Sequence, residues 1–165
     1  MIRKFVTKEK AMERLQVLCN RSEHCEYDLN KKLLNWGINS LDCRDIIEWL
    51  KDNRLVDNTR FAKAFANDKA RFSSWGPQKI RLELLRRRIS PAVITEALQL
   101  VENSVWKEGL IRCAKAKSKN LDLTGQNSWT DSRKLYQYLL SRGFPSAAVS
   151  KVVTLMKNKQ EEEDE

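Results

Sequence analysis

The chain has 165 residues, 41% hydrophobic and 32% charged, with five glycines and three prolines. That length admits one ordinary domain or a few small ones, and so few turn-forming residues argue against an all-β chain and for helices on short loops. Lys and Arg number 31 against 22 Asp and Glu, a net charge of +9, and residues 161–165 are all acidic, so the body before them is five charges more basic still. Such a body is drawn to polyanions, either nucleic acid or an acidic protein face. No apolar run reaches the roughly 20 residues of a membrane span, and Met1-Ile2-Arg3-Lys4-Phe5 leads into charged residues without the apolar core of a leader. The expected location is therefore cytoplasmic, away from membranes. The four cysteines, Cys19, Cys25, Cys43 and Cys113, read as reduced and mostly buried.

In chain order, the first predicted helix runs from Thr7 to Asn20, with a stripe of Ala11, Leu15 and Leu18. A helix pair follows over Cys25 to Leu50, turning at Gly37. The next helix spans Asn58 to Phe72, with Phe61, Phe65 and Ala66 on one face, and a second pair covers Gly76 to Val101, turning at Arg88. A third single helix runs from Ser104 to Lys119. After a polar loop from Leu121 to Ser128, a third pair covers Asp131 to Met156, turning at Gly143.

The three pairs align without gaps, at offsets of 51 and 55 residues. Leu29, Ile80 and Leu135 correspond, as do Leu33, Leu84 and Leu139, then Leu34, Leu85 and Leu140, then Ile38, Ile89 and Phe144. In the second helix of each pair Cys43, Ile94 and Val149 match, then Ile46, Ala97 and Val152, then Ile47, Leu98 and Val153, then Leu50, Val101 and Met156. Positions 43, 46, 47 and 50 form the i, i+3, i+4, i+7 stripe of an amphipathic helix, and all these matched positions are expected to be buried. Gly37 and Gly143 suit a left-handed helix end, where Arg88 is a poorer residue. The prediction is an all-α fold of three tandem three-helix repeats, residues 7–53, 54–103 and 104–158, stacked into an elongated, curved array because a unit this small hardly buries a core alone. Residues 159–165 are expected to be a disordered acidic tail.

Nothing in the sequence assembles catalytic machinery or a cofactor site. His24 is the only histidine and is expected to sit where the next helix begins. Cys19, His24, Cys25 and Cys43 lack the paired spacing of zinc ligands, no phosphate-binding glycine loop occurs, and Asp42 and Asp45 suit a helix start. The middle unit holds Lys69, Arg71, Lys79, Arg81, Arg86, Arg87 and Arg88. The last three close a helix, where its dipole favours positive charge, whereas Lys79 and Arg81 lie early in that helix, where the dipole opposes them and an external anion would explain them. Trp36 and Trp49 read as core. Trp75 precedes Gly76-Pro77 and stands five residues before Ile80, the spacing of a hydrophobic staple, and Trp129 is placed similarly in the third unit.

These motifs resemble the RecX family. Leu55-Val56-Asp57-Asn58-Thr59-Arg60-Phe61-Ala62-Lys63-Ala64-Phe65 is similar to its LLDDxRFAxxF stretch, Gly76-Pro77-Gln78-Lys79-Ile80-Arg81-Leu82-Glu83-Leu84 to its GPxxIRxEL motif, and Leu139-Leu140-Ser141-Arg142-Gly143-Phe144 to its LLxRGF ending. The order and spacing of the three carry the resemblance, which covers roughly residues 10 to 156. This chain departs from the family pattern at Cys25 and Asp28, where Ser and Glu are common, at Asn58, which replaces an acid, and at Arg88, which replaces a glycine. A monomer without cofactors is expected. The resemblance implies a non-enzymatic protein that binds RecA, lies along the groove of its DNA filament and limits filament growth, strand exchange and ATP hydrolysis. Direct contact with single- or double-stranded DNA is compatible with it, and a general DNA-binding protein of helical-repeat type, or a scaffold for protein alone, is the alternative.

Overall fold

The computed structural model describes residues 6–164; residues 1–5, to which the expected absence of a leader refers, and Glu165 lie outside it. The described residues form nine helices and no strand: α1 (Lys8–Arg21), α2 (Glu26–Asn35), α3 (Ser40–Asp52), α4 (Asn58–Ser73), α5 (Pro77–Arg86), α6 (Pro91–Gln99), α7 (Asn103–Ser118), α8 (Ser128–Ser141) and α9 (Ser146–Asp164). Side chains cap several of them. Thr7, Asn39, Asp57 and Ser90 each accept a backbone N–H of the first turn, and proline opens α5 and α6.

Three apolar cores follow the chain. Leu15, Leu29, Leu33, Cys43, Ile46 and Leu50 close the first, from α1–α3. Phe61, Ala66, Ile80, Leu84, Ile94 and Val101 form the second with α4–α6, and Leu110, Leu135, Leu139, Phe144, Val149 and Met156 the third with α7–α9. Cys25 crosses over, lying fully buried in the second core although it precedes α2. The accessible surface is 10816 Å², against about 8,500 Å² for a compact monomer of this mass, so the body is extended.

Most matched apolar positions are buried, but Leu34 and Leu85 are 48% and 42% exposed. Each follows a fully buried leucine, and one residue turns a helix by 100°, carrying the side chain off the buried stripe. Gly37 and Gly143 do take left-handed φ values of 84° and 91°, and Arg88 adopts the same geometry at 58°. Trp129 corrects the staple expectation. Helix α8 starts at Ser128, so Trp129 lies inside it, 72% exposed, with the Arg133 guanidinium 5.6 Å from its ring. The tail also differs, since residues 159–164 continue α9. Gln160 anchors that end, its amide accepting from the Leu123 N–H at 2.8 Å and donating to the Leu121 carbonyl at 3.2 Å.

The two joins between units are built differently. Between the second and third, the Gly76 N–H donates to the Arg142 carbonyl at 2.7 Å and the Gln78 N–H to the Gly143 carbonyl at 3.0 Å. A Cβ on Gly76 would stand 2.3 Å from the Gly143 carbonyl carbon, so the backbones touch. Arg142 completes the join by donating to the Ser73 and Ser74 carbonyls. Thus the Gly-Pro and Arg-Gly-Phe motifs, far apart in sequence, lock onto one another. Between the first and second units the link is largely polar: Arg87 to Asp28 at 3.1 Å, Arg60 to Glu23 at 2.5 Å, and Asn58 to Glu26.

Candidate polyanion-binding site

The middle unit carries an aromatic ladder. Phe61, Phe65 and Trp75 lie in sequence along it, with ring centroids 5.5 Å and 6.3 Å apart, the second pair edge-to-face. Phe61 and Phe65 are one helical turn apart on α4, and Trp75 folds back from the loop before α5 to pack on the core that contains Ile80.

Two lysines converge on this ladder. Lys69 Nζ lies 5.0 Å from the Trp75 ring and 5.5 Å from Phe65, and Lys79 Nζ lies 4.4 Å from Trp75. Cation–π attraction of about 0.5–2 kcal/mol orders each ammonium, and for Lys79 it offsets the unfavourable position early in α5. Neither ammonium group forms an ion pair or hydrogen bond with a described residue. Their ammonium protons are held in place and open to an external oxygen acceptor.

The other basic residues singled out from the sequence divide. Arg81 is half-buried, its guanidinium without an ion pair or hydrogen bond among the described residues. Arg86 is held by Glu83 at 2.7 Å, and Arg87 by Glu83 at 3.0 Å and Asp28 at 3.1 Å, with its guanidinium 5.2 Å from the Phe65 ring. The hydrogen bond from Arg87 holds the Glu83 carboxyl below its ordinary range, and Arg86 adds to this. Arg71 turns away toward α7, bonded to Asn67 at 2.8 Å and facing Glu102 at 3.5 Å. Arg88 lies 5.6 Å from the Tyr27 ring across the first join. The geometry therefore gathers Lys69 and Lys79 with open charges, and leaves Arg71, Arg86 and Arg87 largely neutralised by carboxylates. Phe65 was not singled out as a partner of these cations; its four-residue spacing from Lys69 is the signal that pointed there.

Among the described residues, no cluster of His, Cys, Asp and Glu could hold a metal ion, and no helix is long and apolar enough to cross a membrane. The four cysteines are free, and His24 is paired with the Ser22 hydroxyl at 3.1 Å.

Residues 57–98, which contain this site, match the family model described as RecX, second three-helix domain. The chain is 30% identical over 133 residues to the regulatory protein RecX of Clostridium botulinum strain Alaska E43, covering 81% of this chain and 62% of that protein. It is 26% identical to the regulatory protein RecX of Chlorobium phaeobacteroides, covering 86% and 89%. The chain thus spans about three fifths of the length of the clostridial relative. A crystal structure of regulatory protein RecX superposes with a TM-score of 0.75 at 21% identity, over 88% of this chain and 70% of that one, which establishes a common fold. With the motifs in order, the middle unit matched and the helical architecture shared, the chain belongs to the RecX family.

Proposed function

We propose that this protein is a non-enzymatic regulator of the RecA recombinase, acting in the cytoplasm as a monomer. It binds the RecA–DNA filament and limits strand exchange and ATP hydrolysis. The observation that carries the mechanism is the pair Lys69 and Lys79, ordered on Trp75 without an acidic partner in the unit that matches the family model. Arg81, also unpaired, extends this positive surface along α5. A filament presents a long anionic surface, and an extended body of successive units follows such a surface better than one compact site. Arg71, Arg86, Arg87 and Arg88 support the middle unit and its joins more than they contact the partner.

The test is DNA-dependent ATP hydrolysis by the cognate RecA, titrated with wild type and with the Lys79→Glu, Arg81→Glu double variant. Wild type lowers hydrolysis and strand exchange. The double variant needs about tenfold more protein for the same effect, the order of 1.4 kcal/mol in binding, with the helical circular-dichroism signal unchanged. If wild type leaves both activities untouched, the regulatory role fails. If the variant acts as strongly as wild type, the platform on Trp75 is not the contact.

A further inference from the structure

The middle unit departs from the repeat at one surface position. On α5, Ile80 and Leu84 are buried, while Leu82 and Leu85 face outward, 57% and 42% exposed. Leu85 has leucines at the matching positions of the other units, Leu34 and Leu140. Leu82 does not: the aligned residues are Lys31 and Gln137, both exposed. The fold accommodates a polar residue there, and the second unit alone places a leucine in water. A single exposed leucine needs no explanation, but this one has neighbours.

Leu82 lines a groove of about 320 Å³ between α5 and the corner that ends α8, with Leu140 as a second leucine and Lys79, Glu83 and Arg86 among its polar residues. Leu85, one turn further along α5, extends the apolar surface beyond it. The groove straddles the join between the second and third units. Backbone bonds from Gly76 to the Arg142 carbonyl and from Gln78 to the Gly143 carbonyl hold its walls in register. An occupant therefore meets a preformed surface, which keeps the ordering cost of binding low. Glu83, the carboxylate in the lining, is taken up by Arg86 at 2.7 Å and Arg87 at 3.0 Å. Lys79 keeps an open ammonium group, ordered 4.4 Å from the Trp75 ring. Apolar surface beside a fixed, uncompensated positive charge calls for an occupant that carries an apolar anchor next to a carboxylate.

We propose that this groove seats a short amphipathic helix of a partner protein, its apolar residues against Leu82, Leu85 and Leu140 and an acidic side chain on Lys79. Leu82 and Leu85 stand one turn apart and form a ridge, which suits apolar residues at the i, i+3, i+4 spacing of a docking helix. Protein interfaces centre on such anchors and keep their polar groups at the rim. A nucleic-acid strand fits the groove poorly, because leucines give its phosphates no partner and strip them of water. The inference rests on the regulatory reading above and deepens it: what α5 grips is the protein of the filament, a helix exposed on a RecA subunit.

The experiment is biolayer interferometry of the full chain on cognate RecA filaments formed on immobilised single-stranded DNA, with the same DNA lacking RecA as the reference surface. The Leu82→Ser, Leu85→Ser double variant should bind the filament about tenfold more weakly than wild type, and the bare DNA within twofold of it. Because the contact is apolar, that ratio should hold within twofold between about 0.1 M and about 0.5 M salt, whereas the loss in Lys79→Ala should shrink. Leu34→Ser, at the matching exposed position of the first unit, should bind as wild type does. A double variant within twofold of wild type on the filament, with helicity intact, would overturn the site. So would an equal loss on bare DNA, which would assign the face to nucleic acid, or an equal loss in Leu34→Ser, which would leave nothing particular to this groove. Should the double variant lose helicity, Leu82→Gln decides, since the third unit folds with Gln137 at that position. It is expected to weaken filament binding about fivefold, and no effect overturns the site. A wild type that fails to bind the filament sinks the regulatory reading and this one with it. A wild type that binds and inhibits, matched by its leucine variants, sinks this one alone.

Discussion

Asn58 does a job that Cys25 has given up. Cys25 occupies the N-cap position of α2 but makes no side-chain cap bond. Asn58, the first residue of α4, accepts the Glu26 N–H at 3.0 Å and donates back to the Glu26 carboxylate at 3.1 Å. These are two of the positions where the chain departs from its family pattern of a serine and an acid, and the structure makes them compensate. The freed Cys25 side chain is buried in the second core, where desolvation pushes its thiol up to about 11. Asn58→Ala should cost about 1 kcal/mol, the usual worth of a cap, measured as a lower midpoint in urea at unchanged slope. Asn58→Asp should cost at least as much, since it sets a carboxylate against Glu26. An unchanged midpoint for the Ala variant would refute the cap. Arg88 runs the other way. Its left-handed backbone, φ 58°, costs a non-glycine residue about 1 kcal/mol, so Arg88→Gly should raise the melting temperature by about 2–4 °C, less whatever its contact with Tyr27 contributes. A fall on calorimetry would show that the contact outweighs the strain.

At the level of elements, the helices were legible because apolar residues recur with the helical period and each unit repeats it. The first helix was expected over Thr7 to Asn20 and runs Lys8–Arg21, and the third single helix over Ser104 to Lys119 and runs Asn103–Ser118. The hidden part is what elements do to one another across a join. Gly76 has an ordinary φ of −78°, so no turn demands glycine there. Its reason is the Gly143 backbone, which came into view only with both units folded. This separates two expectations. Gly→Ala at an ordinary φ normally stabilises by about 0.4–1 kcal/mol. Here a Cβ would meet the carbonyl carbon and oxygen of Gly143 at 2.3 Å and the Phe144 nitrogen at 2.5 Å, so Gly76→Ala should destabilise by about 1–3 kcal/mol, the cost of overpacking against atoms that cannot step aside. Hydrogen exchange should show faster exchange of the Gly76 and Gln78 amides, which bond across this join. A variant as stable as wild type would mean that the two units separate at little cost.

At the scale of the whole molecule, pairings between distant residues govern both the site and the stability. The dipole singled out Lys79 and Arg81 from the sequence, but it could not reveal that Asp28, 59 residues away, would engage Arg87. Nor could it show that Lys69 and Lys79 would share one tryptophan. The same pairings tie the first unit to the second, with Arg87 between Asp28 and Glu83 at the centre. That arrangement has a pH signature. The Glu83 carboxyl is held below its ordinary value of 4.5, first by the hydrogen bond from Arg87, and Asp57 below 3.8 by the Arg60 and Thr59 N–H groups. A depressed carboxylate contributes stability that is present above its unfolded value and lost as pH falls through its folded value. Melting temperature should therefore be flat from pH 7 to about 5 and fall steeply below about 4. Glu83→Gln should melt lower at pH 7 and lose part of the acid decline, because its group no longer titrates. Since backbone bonds that do not titrate hold the second and third units together, α1–α3 should lose hydrogen-exchange protection before α4–α9 as acid is added. A decline that begins above pH 5.5, or an acid limb in Glu83→Gln parallel to wild type, would show that these pairings do not govern the join.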